Sequence, residues 1–316
     1  KGPILGWLNV LEAHQALGLE LPVNLRFCLE GMEESGSVGL EEFVVQNKDK
    51  LFHDVDAVCI SDNYWLGTNK PCVTHGLRGI AYFKLLISGP AHDLHSGVFG
   101  GVVHEPMTDL VRIMSSLVSP QGKILVPGIE EQVAPLSDDE LKVYDAMEFS
   151  ISDIDNSTGS KSTISDKKSD VLMARMRNPS LSLHGIEGAF GEPGSKTVIP
   201  HKVTGKFSIR LVPNMEPSKV VEAVQKHVES EFSKLNSKNT MKLIPDHPGK
   251  PWCTDPKHWN YEAAFAATEK IYGVRPDLTR EGGSIPITLT FADALQKNVL
   301  LLPMGRSDDG AHSTNE

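Results

Sequence analysis

Short apolar runs alternate with stretches of helical period at both ends of this chain, and the alternation breaks off in the middle. Leu5 to Leu17 carries Leu8, Leu11 and Ala16 at helix-like spacing, Gly18 stops it, and Val23–Leu29 (VNLRFCL) reads as a buried strand. A helix is expected between Gly39 and Val45, then a short strand Ala57–Ile60. The last fifth repeats the pattern, with a helix from Tyr261 to Tyr272 ended by Gly273 and a strand Val299–Leu302. Such alternation predicts an α/β fold, a mostly parallel sheet with helices on both faces.

The middle is built differently. Ala81–Ile87 reads as a strand, Met107 to Val118 as an amphipathic helix, and Lys206–Val212 (KFSIRLV) as a half-buried strand. Pro217 then opens a helix whose inner face carries Val220, Val224 and Val228. Ser150–Asp170, rich in Ser, Asp and Lys, is expected to be a surface loop. The expected division is therefore a catalytic domain in two parts, 1–78 and 250–316, around an inserted α+β lid or dimerisation domain at 79–249. The chain opens on Lys1 without a signal-peptide pattern and stops at Glu316 without a closing helix, so both ends read as truncation points.

Composition removes several function classes. A net charge of −10 lacks the basic stripe that phosphate neutralisation needs, so no nucleic-acid partner is expected. No apolar run approaches the ~20 residues of a membrane span, so no membrane is expected either. The four cysteines, at 28, 59, 72 and 253, form no CxxC pair, and three lie in apolar, strand-like surroundings. That suits buried, reduced thiols and a cytoplasmic location. The N-x-S/T match at Asn156 reads as chance.

Three acidic or histidine-bearing stretches follow expected strands, where α/β sheets gather their ligands. Glu30–Ser37 (EGMEESGS) follows the first strand, and its adjacent glutamates could divide metal binding from proton transfer or simply form a solvated turn. Ser61-Asp62-Asn63 follows Ala57–Ile60, where an aspartate serves a cation or caps a turn. Asp308–Ser313 (DDGAHS) follows Val299–Leu302 and offers a histidine with carboxylates close enough to orient its ring. Taken together, one histidine and two carboxylates from separate strand ends, with a spare glutamate, are what a metal-assisted hydrolase requires.

Longer motifs carry a family resemblance across essentially the whole chain. They include FCLEGMEESGS (Phe27–Ser37), ISDNYWLG (Ile60–Gly67), DLHSGVFGG (Asp93–Gly101) and PSLSLHGIEGAF (Pro179–Phe190). KTVIP (Lys196–Pro200), GKFSIRLVPN (Gly205–Asn214), REGGSIP (Arg280–Pro286) and DDGAHS complete the set. The chain resembles the M20 metallopeptidases, and within them the dipeptidase branch. The resemblance implies a centre of two divalent cations, Mn2+ or Zn2+, with Glu34, Asp62 and His312 as three of five ligands, and Glu33 as general base. It implies a homodimer in which His95 and Thr197 reach the partner's site, and a dipeptide substrate whose carboxylate meets Arg210 and Ser284. His247 is implied as a lining residue, whereas His75, His92 and His104 match no role. The family's first histidine ligand and bridging aspartate would precede Lys1, so this stretch alone is expected to be inactive or nearly so. Deacylation of N-acyl amino acids within the same family, or a non-catalytic dimer-forming protein, are the competing expectations.

Overall fold

The computed structural model describes residues 2–33 and 36–310, except for the His247 side chain. The chain begins with helices α1 (Gly2–Leu17) and α2 (Leu40–Asn47), then strands β1 (Ala57–Ile60), β2 (Cys72–Leu77) and β3 (Gly79–Ser88). Next come β4 (Leu94–His95), α3 (Ser96–Phe99), α4 (Pro106–Ser115), α5 (Asp138–Ala146), α6 (Ile151–Thr158) and α7 (Lys168–Met176). Strands β5 (Ser180–Glu187), β6 (Val198–Ile199) and β7 (Lys202–Leu211) lead into α8 (Pro217–Lys234), β8 (Thr240–Gly249) and β9 (Trp252–Cys253). Helix α9 (Trp259–Tyr272), β10 (Asp277–Glu281), α10 (Pro286–Leu295) and β11 (Asn298–Leu301) follow.

Two main sheets result. The first has the order β1-β11-β2-β10, with β9 on β2. Its longer pairings, β1 with β11 and β2 with β10, are parallel, while β11–β2 and β2–β9 are brief antiparallel contacts. Consecutive side chains of β11 point to opposite faces. Val299 and Leu301 enter the core under α2 and α10, and Leu300 enters the one under α9. Both faces are therefore covered, and the α/β expectation holds. Tyr261 of α9 is fully buried, yet its hydroxyl is satisfied by the carbonyls of Thr74 and Val299, each at 3.1 Å.

The second sheet is antiparallel, in the order β5-β7-β3-β8. Its inner face follows the period of two in β3, where Ala81, Phe83, Leu85 and Ile87 are all buried beneath α4 and α8. Gly205 of β7 lets α4 approach, because a Cβ there would lie 2.5 Å from the Met114 sulfur. The opposite face is half-buried and polar, and it carries Tyr82, Lys84, Lys206 and Arg210.

Three expectations fail. Val23–Leu29 is not a buried strand: it forms no ladder with any strand among the described residues, and Leu25, Phe27 and Leu29 are exposed. An apolar run supplies only half of a strand, because its backbone groups also need a neighbour. Ser150–Asp170 is not one loop, since it contains α6 and the start of α7. The amide of Ser150 donates to the Asp153 carboxylate at 2.8 Å, the reciprocal bond of a helix-start box, and Gly159 ends the helix at φ 67°. Finally, all four cysteines are free, but only Cys72 is buried, while Cys59 and Cys253 are exposed. Among the described residues, no helix is long and apolar enough to cross a membrane.

Candidate functional site

Parallel pairing puts the loops after β1 and β11 at the same end of the first sheet, since Ile60 is in register with Leu301. The two loops stay together beyond the strands. The Leu302 amide donates to Ile60 at 2.9 Å, Tyr64 bridges to Gly305, and the Trp65 amide donates to the Gly305 carbonyl at 2.9 Å. Asp62 is exposed in the first loop, and its carboxylate accepts from the Asn63 amide at 2.7 Å. Asn63 turns the chain in the left-handed region at φ 73°, a conformation that asparagine tolerates better than most residues. The indole of Trp7 on α1 anchors the neighbouring Ser61 hydroxyl at 2.9 Å.

The second loop leads towards His312, which lies outside the described residues, as does Glu34. Its two carboxylates are engaged locally. Arg306 grips Asp308 with two bonds, at 2.9 and 2.6 Å, and its amide donates to Asp309 at 2.7 Å. That grip holds the Asp308 carboxyl below its ordinary pKa. Glu33 is exposed in a turn closed by the Ser37 amide on the Met32 carbonyl at 2.8 Å. Nearby, Oε1 of Glu30 is buried without a hydrogen-bond partner, as is Nδ2 of Asn63.

Among the described residues no three His, Cys, Asp or Glu side chains cluster closely enough to hold a metal ion. The donor chemistry nevertheless fits a divalent cation. An exposed aspartate at one strand end sits beside the loop that continues in sequence to a histidine, and oxygen and imidazole donors suit Mn2+ or Zn2+.

Two further groupings of the expected residues form elsewhere in the molecule. His95 on β4 and Thr197 come together on a small two-stranded ribbon, β4 with β6. His95 is in register with Val198, and the Ser96 amide donates to Thr197 at 3.1 Å. Both residues are exposed. The Nδ1 of His95 caps α3 by accepting from the Gly97 amide at 3.0 Å, which leaves Nε2 as the outward nitrogen. Asp93 fastens the ribbon by accepting from both the amide and the ring of His201, at 3.0 and 2.6 Å.

Arg210 and Ser284 meet although 74 positions separate them: a guanidinium nitrogen donates to the Ser284 hydroxyl at 3.1 Å. Burial lowers the Arg210 pKa, and among the described residues no carboxylate pairs with it. On β8, three residues span the space of two on β3, since Asp246 faces Tyr82 and Gly249 faces Ile80. This bulge contains the backbone of His247 and lies across β3 from Arg210, which also faces Ile80. His75, by contrast, is tied to the Thr254 carbonyl at 3.1 Å, and burial pushes its pKa down to about 4, as for a structural histidine.

The sequence reading missed Arg78. It joins β2 to β3, its Nε donates to Gly282 at 3.0 Å, and its Nη1 donates to the Ser180 hydroxyl at 3.1 Å. A charged residue at the junction of two apolar strands was the available signal, because such a charge demands partners when it is buried.

Comparison with known proteins agrees with this architecture. Residues 75–236 match the family model described as a peptidase dimerisation domain of the M20 type. Over its whole length the chain is 57% identical to a Cys-Gly metallodipeptidase of Candida albicans, covering 65% of that protein. It is 48% identical to the Beta-Ala-His dipeptidase of Homo sapiens, covering 62% of it. The chain thus spans somewhat less than two thirds of the length of these curated relatives. Among solved structures it superposes on the di-peptidase Dug1p of Saccharomyces cerevisiae with a TM-score of 0.92 at 57% identity, covering all of this chain and 66% of that one. With the dimerisation-domain model matched over more than half of its residues, the chain belongs to the M20 peptidase family.

Proposed function

We propose that this chain is the substrate-binding and base-bearing part of a metal-dependent dipeptidase. The observation that carries the reading is Arg210, a half-buried guanidinium with a hydroxyl partner and, among the described residues, no carboxylate partner. Keeping such a charge partly out of water is costly unless an anion completes it. A peptide's terminal carboxylate fits the fork of arginine with two bonds. Similarity to Cys-Gly and Beta-Ala-His dipeptidases supports the same choice of substrate.

In this reading Asp62, Glu34 and His312 hold cations, two per subunit, and Mn2+ or Zn2+ would suit them. When bound, they supply a polarised carbonyl and an acidified water. Glu33 takes a proton from the attacking water and hands it to the leaving amine. Arg210 and Ser284 hold the carboxylate at a fixed distance from the scissile bond, so short substrates fit and long ones do not. His247 lines the same region. The division into 1–78 with 250–316 and 79–249 belongs to this proposal, as does a cytoplasmic location, which the free thiols favour.

The test is hydrolysis with added Mn2+, using Ala-Gly, Cys-Gly and an N-acetylated amino acid. Both the 316-residue chain and a form extended to the relatives' length would be assayed. Cleavage of the dipeptides that disappears with a chelator is expected from the extended form. Cleavage of the acetylated substrate alone would instead select the deacylase reading, and no cleavage by either form would select a non-catalytic dimer-forming protein.

The proposal includes a homodimer in which His95 and Thr197 act in the partner's site. The exposed ribbon supports this, with Val98 and Val102 standing 63% and 73% exposed just beyond His95. Exposed apolar side chains around a polar one are typical of a surface that another subunit covers. Mixing His95→Ala protein with Glu33→Gln protein distinguishes the arrangements. With action across the interface, random reassortment restores about one quarter of wild-type activity, because half the dimers carry one whole site. With action within one subunit, every mixture stays inactive.

A further inference from the structure

Arg78 is bonded both to the Ser284 hydroxyl and to the turn that carries it. Its carbonyl accepts from the Ser284 hydroxyl, the same hydroxyl that receives Arg210. Its amide donates to Glu281 at 3.2 Å and to Gly283 at 3.1 Å, so it organises the turn that presents Ser284. Its side chain bonds both that turn, at Gly282, and the segment from α7 to β5. Besides the bonds to Gly282 and Ser180, Nη1 donates to the carbonyls of Ala174 at 3.2 Å and Asn178 at 3.3 Å. Ser180 is the cross-strand neighbour of Arg210, so Arg78 is bonded to Ser284 directly and to the strand beside Arg210 through Ser180.

The packing around this guanidinium is close. A Cβ at Gly282 would lie 2.8 Å from its Nη2, so glycine is the residue that leaves Arg78 room. No ion pair to Arg78 or Arg210 occurs among the described residues. Burial brings the Arg78 pKa down to about 10, with the charge of Arg210 as the next cause and the Glu281 carboxylate acting against both. Two like charges are therefore held near each other, with the Glu281 carboxylate offsetting only part of the unfavourable environment of Arg78. A bound anion relieves both repulsion and desolvation, whereas a neutral ligand relieves neither.

We propose that Arg78 is a positioning residue: it fixes Ser284 and Arg210 in register and adds a second positive charge that makes the site select a carboxylate over a neutral terminus. The inference rests on the reading of Arg210 as the carboxylate-binding residue.

Calorimetric titration of metal-stripped protein with Ala-Gly and with Ala-Gly amide tests it without turnover. Wild-type protein is expected to prefer the acid. In Arg78→Gln that preference falls about tenfold, the order of one misplaced bond to a charged group, and Arg78→Lys falls in between. If both ligands weaken equally while the melting temperature drops, Arg78 is only structural and the proposal is overturned. If neither variant shows a cooperative melting transition, the residue serves stability and the proposal is overturned as well. A wild-type protein that binds acid and amide equally would instead remove the carboxylate reading itself, an outcome visible before any variant is made.

Discussion

Glu33→Gln is expected to lower kcat for dipeptides by about 10²–10⁴-fold, the range that proton transfer by a positioned side chain contributes, with KM changing little. The substitution keeps size and hydrogen-bonding capacity while removing the group that can accept and return a proton. In the proposed reading the terminal carboxylate is held by Arg210 and Ser284, on different elements, so ground-state affinity should survive. Stopped-assay kinetics on the form of the protein active towards dipeptides would read both constants. A variant retaining more than a tenth of wild-type kcat would show that Glu33 is a surface residue of its turn and not the base. A loss carried in KM would place it among the binding groups instead.

Arg210→Ala is expected to reduce kcat/KM for dipeptides by about 10²–10³-fold, carried mainly in KM. The estimate follows from two charge-assisted bonds at roughly 1.5–3 kcal/mol each, partly offset by water entering the gap, with 1.4 kcal/mol per decade. Arg210→Lys should recover little, because a point charge cannot reproduce the fork and would also lose the bond to Ser284. The informative control is the dipeptide amide, which lacks the partner charge. Its kcat/KM should respond weakly to either substitution, and an equal fall for acid and amide would mean that Arg210 supports the strand and not the ligand.

How much of this was legible in the sequence depends on how local the information is. Strand β3 and the helical period of α4, α8 and α9 are read from sequence close to their observed bounds, because burial on one face is written directly into residue order. Strand β1 was also read with its observed bounds. That reading put Asp62 just beyond a strand end, and the structure adds that the neighbouring strand there is β11 and is parallel. Two misreadings have opposite causes. At Val23–Leu29 the side chains spelled a strand, but the required neighbour is not among the described residues. At Ser150–Thr158 the polar composition suggested a loop, yet a reciprocal end bond and the packing of Ile154 against the neighbouring core accompany a helix there.

The sequence by itself determined which side chains are candidates to carry a proton, a cation or a carboxylate, and which stretches alternate to bury one face. Those properties belong to residue types and to spacings of two to four positions. Only the tertiary structure decided who meets whom. It brought Arg210 to Ser284, put His95 and Thr197 on one ribbon, and made Arg78 the residue that touches both the Ser284 turn and the neighbour of Arg210. These pairings span 74 to 206 positions, distances over which no local periodicity carries information. They exist because strand register and sheet order fix side chains in space, and register is set by the burial of whole faces, not by the residues that end up touching.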